Sequence, residues 1–214
     1  MFIIKKFEFS PIQENTYLLY NEQKNCIIID PGCYDDMEKS ILSDFITEND
    51  LKPVLLLNTH CHLDHVFGNK YVFDNYQLMP HIHPLEKELL AYAPVSGLMY
   101  NLPFDHYEGE VNFLEEGQTI KLDEDELAVL FTPGHSPGSV SFYCNKQQFV
   151  ISGDVLFKNS VGRTDLPGGN YEILIQSIKN QLLVLPNETN VFSGHGMSTT
   201  IGEESVFNSF INKI

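Results

Sequence analysis

Pro53-Val54-Leu55-Leu56-Leu57-Asn58-Thr59-His60-Cys61-His62-Leu63-Asp64-His65 is an apolar run of strand length that breaks directly into three imidazoles and a carboxylate within six positions. The continuous apolar run reads as a buried strand. Neutral imidazole nitrogen and carboxylate oxygen both suit Zn²⁺ and related transition metals, and a strand that ends in a turn splays such side chains outward. Six positions cannot wrap a cation alone, so the remaining ligands have to come from other strand ends.

Three stretches have that placement. His135 lies in Thr132-Pro133-Gly134-His135-Ser136-Pro137-Gly138, where proline stops a strand and glycine lets the backbone turn sharply. Asp154 follows Phe149 to Ile151 in Ser152-Gly153-Asp154, and His195 lies between glycines in Ser193-Gly194-His195-Gly196. Taken singly, each reads as a turn or capping residue. Their shared position after apolar runs groups them with the first stretch as candidate ligands. His81 and His83 lie two apart, on one face of a strand, but lack a neighbouring carboxylate or glycine turn. They are placed outside the ligand set, in a surface or supporting role.

Outward from these motifs, Phe2 to Phe9, Thr16 to Tyr20 and Cys26 to Ile29 read as three short strands in a meander. Met37, Ile41, Phe45 and Ile46 recur at helical spacing between Tyr34 and Asn49, a helix that feeds the strand from Pro53. A second helix is expected over Asp64 to Phe73 and a strand near Leu78 to His83. From Ala93 to Asn112 the periodicity fades into a long connection. Strands resume at Thr119 to Leu122, Leu127 to Thr132, Ser139 to Cys144 and Phe149 to Ser152. A helix over Tyr171 to Leu183, a strand at Val191 to Phe192 and a helix over Glu203 to Asn212 complete the order. Each half reads as strands followed by helix, which fits two mixed sheets with helices outside them, in one domain spanning 1–214.

The 214 residues include 13 Lys and Arg against 29 Asp and Glu, a formal charge of −16 that disfavours nonspecific binding to nucleic acid or anionic membranes. No apolar run approaches the ~20 residues that cross a bilayer. Met1-Phe2-Ile3-Ile4-Lys5-Lys6 lacks the charge order of an export signal, so retention in the cytoplasm is expected. Four cysteines without a CxxC pair read as reduced thiols.

The set His60-x-His62-x-Asp64-His65, His135, Asp154 and His195 resembles the metallo-β-lactamase fold superfamily over nearly the whole chain. Within it, the sequence is most similar to the glyoxalase II-like hydrolases, and Gly162-Arg163-Thr164-Asp165-Leu166-Pro167-Gly168-Gly169 resembles their short, single-domain members. The resemblance implies an α/β fold of αββα type, a four-layer sandwich of two mixed β-sheets flanked by helices. It further implies a dinuclear centre with two divalent transition metals, Zn foremost, with Fe or Mn as substitutes. His60, His62 and His135 would hold one ion; Asp64, His65 and His195 the second; Asp154 would bridge them. Asp30, in Ile29-Asp30-Pro31-Gly32, matches a supporting position of the family, although as a bare sequence feature it is a turn residue.

The implied activity is hydrolysis of an S-acyl thioester, a small-molecule substrate, by a hydroxide that the two metals share, with Asp64 and Asp154 fixing the metals and orienting that hydroxide. Arg163 and Asp165 are expected to form a buried pair that orders their loop. Only 19 residues follow His195, too few for the helical domain with which two-domain glyoxalase II enzymes help hold glutathione. The alternative within the superfamily is a persulfide dioxygenase with one iron. Lactonase activity and a noncatalytic metal-binding module rank lower.

Overall fold

In the computed structural model, which describes residues 1–212, the opening apolar runs form the expected meander. Strands β1 (Ile3–Phe9), β2 (Glu14–Tyr20) and β3 (Asn25–Ile29) pair antiparallel in sequence order. Helix α1 (Asp36–Glu48) starts where the Asp35 carboxylate accepts the Glu38 N–H at 2.9 Å, one of the donors a helix start leaves unsatisfied. Its buried residues Leu42 and Ile46, one turn apart, join Phe7, Leu18, Ile28 and Leu56 in a single apolar cluster. Each such side chain contributes about 1.5–3 kcal/mol on burial.

The chain returns through β4 (Lys52–Leu57), parallel to β3. Helices α2 (Leu63–Val66) and α3 (Asn69–Tyr76) lead to β5 (Pro80–Ile82), and α4 (Lys87–Met99) leads to β6 (Asn112–Phe113), each new strand parallel to its neighbour. The first sheet is therefore mixed, in the order β1-β2-β3-β4-β5-β6.

The second sheet is also mixed, in the order β14-β13-β10-β9-β8-β7. Its strands are β7 (Thr119–Leu122), β8 (Asp125–Phe131), β9 (Val140–Cys144), β10 (Phe149–Gly153), β13 (Asn190–Ser193) and β14 (Thr199–Thr200). Between β10 and β13 lie a short hairpin, β11 (Leu156–Phe157) with β12 (Ser160–Val161), and helix α5 (Tyr171–Ser177). Helix α6 (Ile201–Phe207) follows β14, and Val150, Leu174, Ile178, Val191 and Ile201 share one apolar cluster. The chain divides into two units, Met1–Leu114 with Lys121–Asp125, and Glu115–Ile120 with Glu126–Ile214. No helix among the described residues is long and apolar enough to cross a membrane.

Four helical segments differ from the sequence expectation. The single helix over Asp64 to Phe73 is two helices, interrupted at Gly68, whose N–H donates to the Pro31 carbonyl at 2.7 Å. The segment from Ala93 is not yet a connection: α4 runs to Met99 with Pro94 inside it, and only Leu90, Ala93 and Gly97 are buried, too few to mark a helical stripe. The helix over Tyr171 to Leu183 is α-helical only to Ser177 and widens into a π-helical turn over Ile178–Leu182. The last helix starts two residues early and ends at Phe207.

None of the four cysteines forms a disulfide and all are buried, which accords with reduced thiols. Burial pushes the Cys26 and Cys33 thiols up to about 12. The native protein is thus expected to react with iodoacetamide at pH 8 only as fast as it unfolds, measured by mass spectrometry with and without urea. At Gly68 a Cβ would meet Cys33 Sγ at 2.5 Å and the Pro31 carbonyl oxygen at 2.8 Å. Gly68→Ala is expected to cost about 1–3 kcal/mol in urea unfolding, as overpacking does.

Candidate metal centre

Asp30 stands one residue beyond β3, and Asn58 opens the loop beyond β4. The two strands are parallel neighbours, so their carboxyl ends share one edge, where open sheets collect ligands. The Asp30 carboxylate, 1% exposed, is the hub of this edge. Oδ1 accepts the Thr59 N–H at 2.7 Å, and Oδ2 accepts the Thr59 hydroxyl at 2.6 Å and His65 Nδ1–H at 3.0 Å. With its proton given to Asp30, Thr59 Oγ1 accepts from His60 Nδ1 at 3.1 Å. Both rings then carry hydrogen on Nδ1 and a lone pair on Nε2, the arrangement a metal ligand requires.

His62 caps the start of α2 in extended backbone, and Asp64 and His65 fall in the helix itself. The His60 ring lies 4.8 Å from that of His62 and 4.0 Å from that of His65, and Asp64 Oδ2 lies 3.9 Å from His65 Nε2. All four motif residues thus gather at one edge of the first unit. Cys61, between two of them, turns the other way. Its N–H donates to Glu86 Oε2 at 2.7 Å and its thiol is buried with Val66, Ile82, Leu90 and Ala93, where burial holds its pKa well above the ordinary value.

Glu14, which the sequence reading passed over, lies under this group. It is fully buried in β2, where Oε2 accepts from the Thr16 hydroxyl at 2.8 Å and Oε1 is 3.9 Å from His65 Nδ1. Burial raises its pKa well above the usual carboxylate value. The sequence expectation begins the strand at Thr16, two residues later, so nothing in the sequence sets Glu14 apart.

In the second unit, β8 and β10 are each antiparallel to β9, and β13 is parallel to β10. The carboxyl ends of β8, β10 and β13 therefore face one edge, and His135, Asp154 and His195 follow them. Gly134 holds φ +128°, a conformation other residues avoid, and a Cβ there would collide with the Leu174 backbone. His135 Nδ1 donates to the Arg163 carbonyl at 2.7 Å, which again leaves Nε2 as the acceptor. Asp154 Oδ2 stands 3.6 Å from both His135 Nε2 and His195 Nε2. That spacing is longer than a hydrogen bond and close to the roughly 3.4 Å between two ligands of one tetrahedral ion with bonds of ~2.05 Å. Within each unit taken by itself, the donor set of nitrogen and oxygen, with tautomers fixed by their neighbours, fits a divalent transition metal.

Arg163 and Asp165 do pair, through two contacts of 2.7 Å, but in the open, with side chains 58% and 67% exposed. The expected burial is corrected: Arg163 offers the site its carbonyl, and its guanidinium stays in solvent. Hydrogen bonding from Arg163 lowers the Asp165 pKa to about 2.

A fold of two mixed sheets with helices, and ligand-type side chains at strand ends, defines a class of metal-dependent hydrolases. The chain belongs to the metallo-beta-lactamase superfamily, whose pattern matches residues 10–195. It is 38% identical over 208 residues to the hydroxyacylglutathione hydrolase GloC of Haemophilus influenzae, covering 94% of this chain and 93% of that one. The BLEG-1 B3 metallo-beta-lactamase superposes with a TM-score of 0.90 at 38% identity, over 98% of this chain and 100% of that one. TTHA1623, solved in a di-iron-bound form, gives 0.87 at 38% identity, over 96% and 99%. The αββα expectation of two mixed sheets flanked by helices agrees with this fold.

His81 and His83 have other partners. His81 Nδ1 donates to the Leu56 carbonyl at 3.1 Å, and His83 Nδ1 accepts the Leu85 N–H at 3.3 Å at the start of a 3₁₀ turn, so strand and cap take one each. Burial lowers the pKa of His81 from 6.5. The unfolded chain then takes up that proton first, so the contribution of His81 is complete above pH 6.5 and declines as pH falls toward the folded value. In EDTA, His81→Gln is expected to flatten the loss of urea stability between pH 7 and pH 5.5 relative to the parent; parallel curves would refute this.

Proposed function

We propose that the chain is a thioesterase of the hydroxyacylglutathione hydrolase type, acting as one domain. The observation that carries this reading is the fixed state of the donors: Asp30 and Thr59 hold Nδ1 of His65 and His60, and the Arg163 carbonyl holds Nδ1 of His135. Such a set is ready to bind cations without rearranging. In this reading His60, His62 and His135 would hold one divalent ion, Asp64, His65 and His195 the other, and Asp154 would serve both. Zinc is the ion proposed, with iron as the substitute that the di-iron form of TTHA1623 supports. When bound, the pair supplies Lewis acidity and a water of lowered pKa, from 15.7 toward about 7.

The chain's own residues do the rest. Carboxylate oxygens of Asp64 and Asp154 accept hydrogen bonds from the attacking water and turn its lone pair toward the acyl carbon. The buried Asp30 keeps His60 and His65 from rotating as charge develops. The likeness to GloC supports a thioester as substrate, cleaved to a carboxylate and a thiol.

The test is hydrolysis of S-D-lactoylglutathione by protein of measured metal content, followed by thiol release. A kcat/KM within ~10⁴ to 10⁸ M⁻¹s⁻¹ is expected. Metal-replete protein without thiol release would overturn the thioesterase reading. Asp154→Ala is expected to lose metal on gel filtration and nearly all hydrolysis; wild-type turnover by that variant would overturn the two-ion scheme. Asp30→Ala is expected to weaken metal affinity by about 10–100-fold in chelator competition.

A further inference from the structure

The hairpin β11–β12 has an unusual foundation. Its two-residue turn is Lys158-Asn159, with Asn159 at φ +59°, a left-handed conformation that asparagine tolerates. The Asn159 N–H donates to Glu204 Oε2 at 2.9 Å, and Asn208 Nδ2 donates to the same oxygen at 2.7 Å and to the Ser160 carbonyl at 2.9 Å. Glu204 Oε1 accepts from the Thr199 hydroxyl at 2.6 Å. Glu204 is 1% exposed and Asn208 0%, so a buried carboxylate and a buried amide together fix an exposed turn. A buried carboxylate needs hydrogen-bond donors around it, and here one of those donors is the backbone of the turn.

What they hold is one wall of a cavity of about 390 Å³. Phe157, Lys158 and Asn159 form that wall, and His195, Gly196 and Met197 form the other. The Phe157 ring stands 6.4 Å from the His195 ring. His195 is in turn steadied by the Ser193 hydroxyl, which donates to its carbonyl at 2.8 Å. The cavity thus opens beside a residue of the proposed metal centre. Lys158 makes no ion pair among the described residues, although acids outnumber bases by 29 to 13 in this chain. A cationic side chain carried on a held turn, without an ion pair in an acidic protein, is complementary to an anion supplied from outside.

We infer that this cavity takes the carboxylate-bearing arm of the substrate, with Lys158 as its cationic anchor and Phe157 and Met197 against the arm's apolar part. The inference rests on the thioesterase reading and adds a substrate class to it: thioesters that carry a carboxylate away from the reacting carbonyl. That carboxylate could belong to the thiol half or to the acyl half, and the substrates below separate the two.

The metal-loaded chain is assayed with S-D-lactoylglutathione, charged on the thiol half, with S-succinyl-N-acetylcysteamine, charged on the acyl half, and with neutral S-lactoyl-N-acetylcysteamine. For one of the charged substrates, the kcat/KM ratio to the neutral one is expected to fall about fivefold in Lys158→Ala, the size of an exposed charge contact. It should fall further in Lys158→Glu and recover in Lys158→Arg. The change should appear in KM rather than kcat, and the wild-type ratio should shrink as salt is raised. Ratios unchanged for both charged substrates in Lys158→Ala and Lys158→Glu would overturn the inference. If none of the three is hydrolysed, the thioesterase reading fails separately. Calorimetric binding of glutathione then decides: weaker binding to Lys158→Glu than to wild type keeps the anchor, and equal or absent binding removes it.

Discussion

One carboxylate sets the geometry of the first half of the site. Asp30 is buried at the end of a strand and accepts hydrogen bonds from a backbone amide, a hydroxyl and an imidazole. A buried negative charge is tolerated only when donors surround it, so the loop beyond β4 has to bring Thr59 and His65 to it. That requirement fixes the path of the loop, and the path of the loop fixes which nitrogen of each ring is left to bind a cation. The same logic recurs in the second unit with a neutral partner, where a backbone carbonyl holds His135. Rigidity here comes from polar groups that have few other ways to be satisfied.

The ligands follow strands because strand ends are the one place where a regular sheet releases its backbone in a predictable direction. That is why the sequence exposed them. An apolar run followed by His or Asp is visible without coordinates, and all seven ligand-type residues lie beyond the runs that predicted them. Polar residues that support them are different in kind. Glu14 sits inside β2 and acts across the sheet, and the contribution of Arg163 is a carbonyl that every residue possesses. Neither leaves a mark in residue type or spacing, whereas Asp30 did, through its place in a turn after a strand.

The spacing of Met37, Ile41, Phe45 and Ile46 marks helix α1, yet Met37 and Ile41 are exposed and the buried residues are Leu42 and Ile46, so the period places the helix but not its face. Helix α4 buries Leu90, Ala93 and Gly97 on one face but carries Tyr92, Val95, Leu98 and Met99 exposed and a proline within it, so apolar residues all round hide its period. The break between α2 and α3 depends on Gly68 meeting Pro31 and Cys33, which are distant in sequence. The hairpin β11–β12 has strands of two residues each, too short for any alternation to register. Its stability comes from α6, through a glutamate and an asparagine that a linear reading places on a terminal helix with no evident task.

Cys61 lies in the middle of the ligand motif, yet its thiol belongs to the core, with a raised pKa and an amide tied to Glu86. The sulfur is held as a thiol and faces away from the imidazoles on either side of it. Copper(I) and cadmium, which select thiolate, therefore gain no soft donor from this residue, and the choice among ions is left to hard and borderline ligands. Peroxide, for its part, finds no thiolate at Cys61 to convert to sulfenic acid. Turning one side chain inward thus gives adjacent residues of one short motif two different surroundings, a polar strand-end edge for the imidazoles and the apolar core for the thiol.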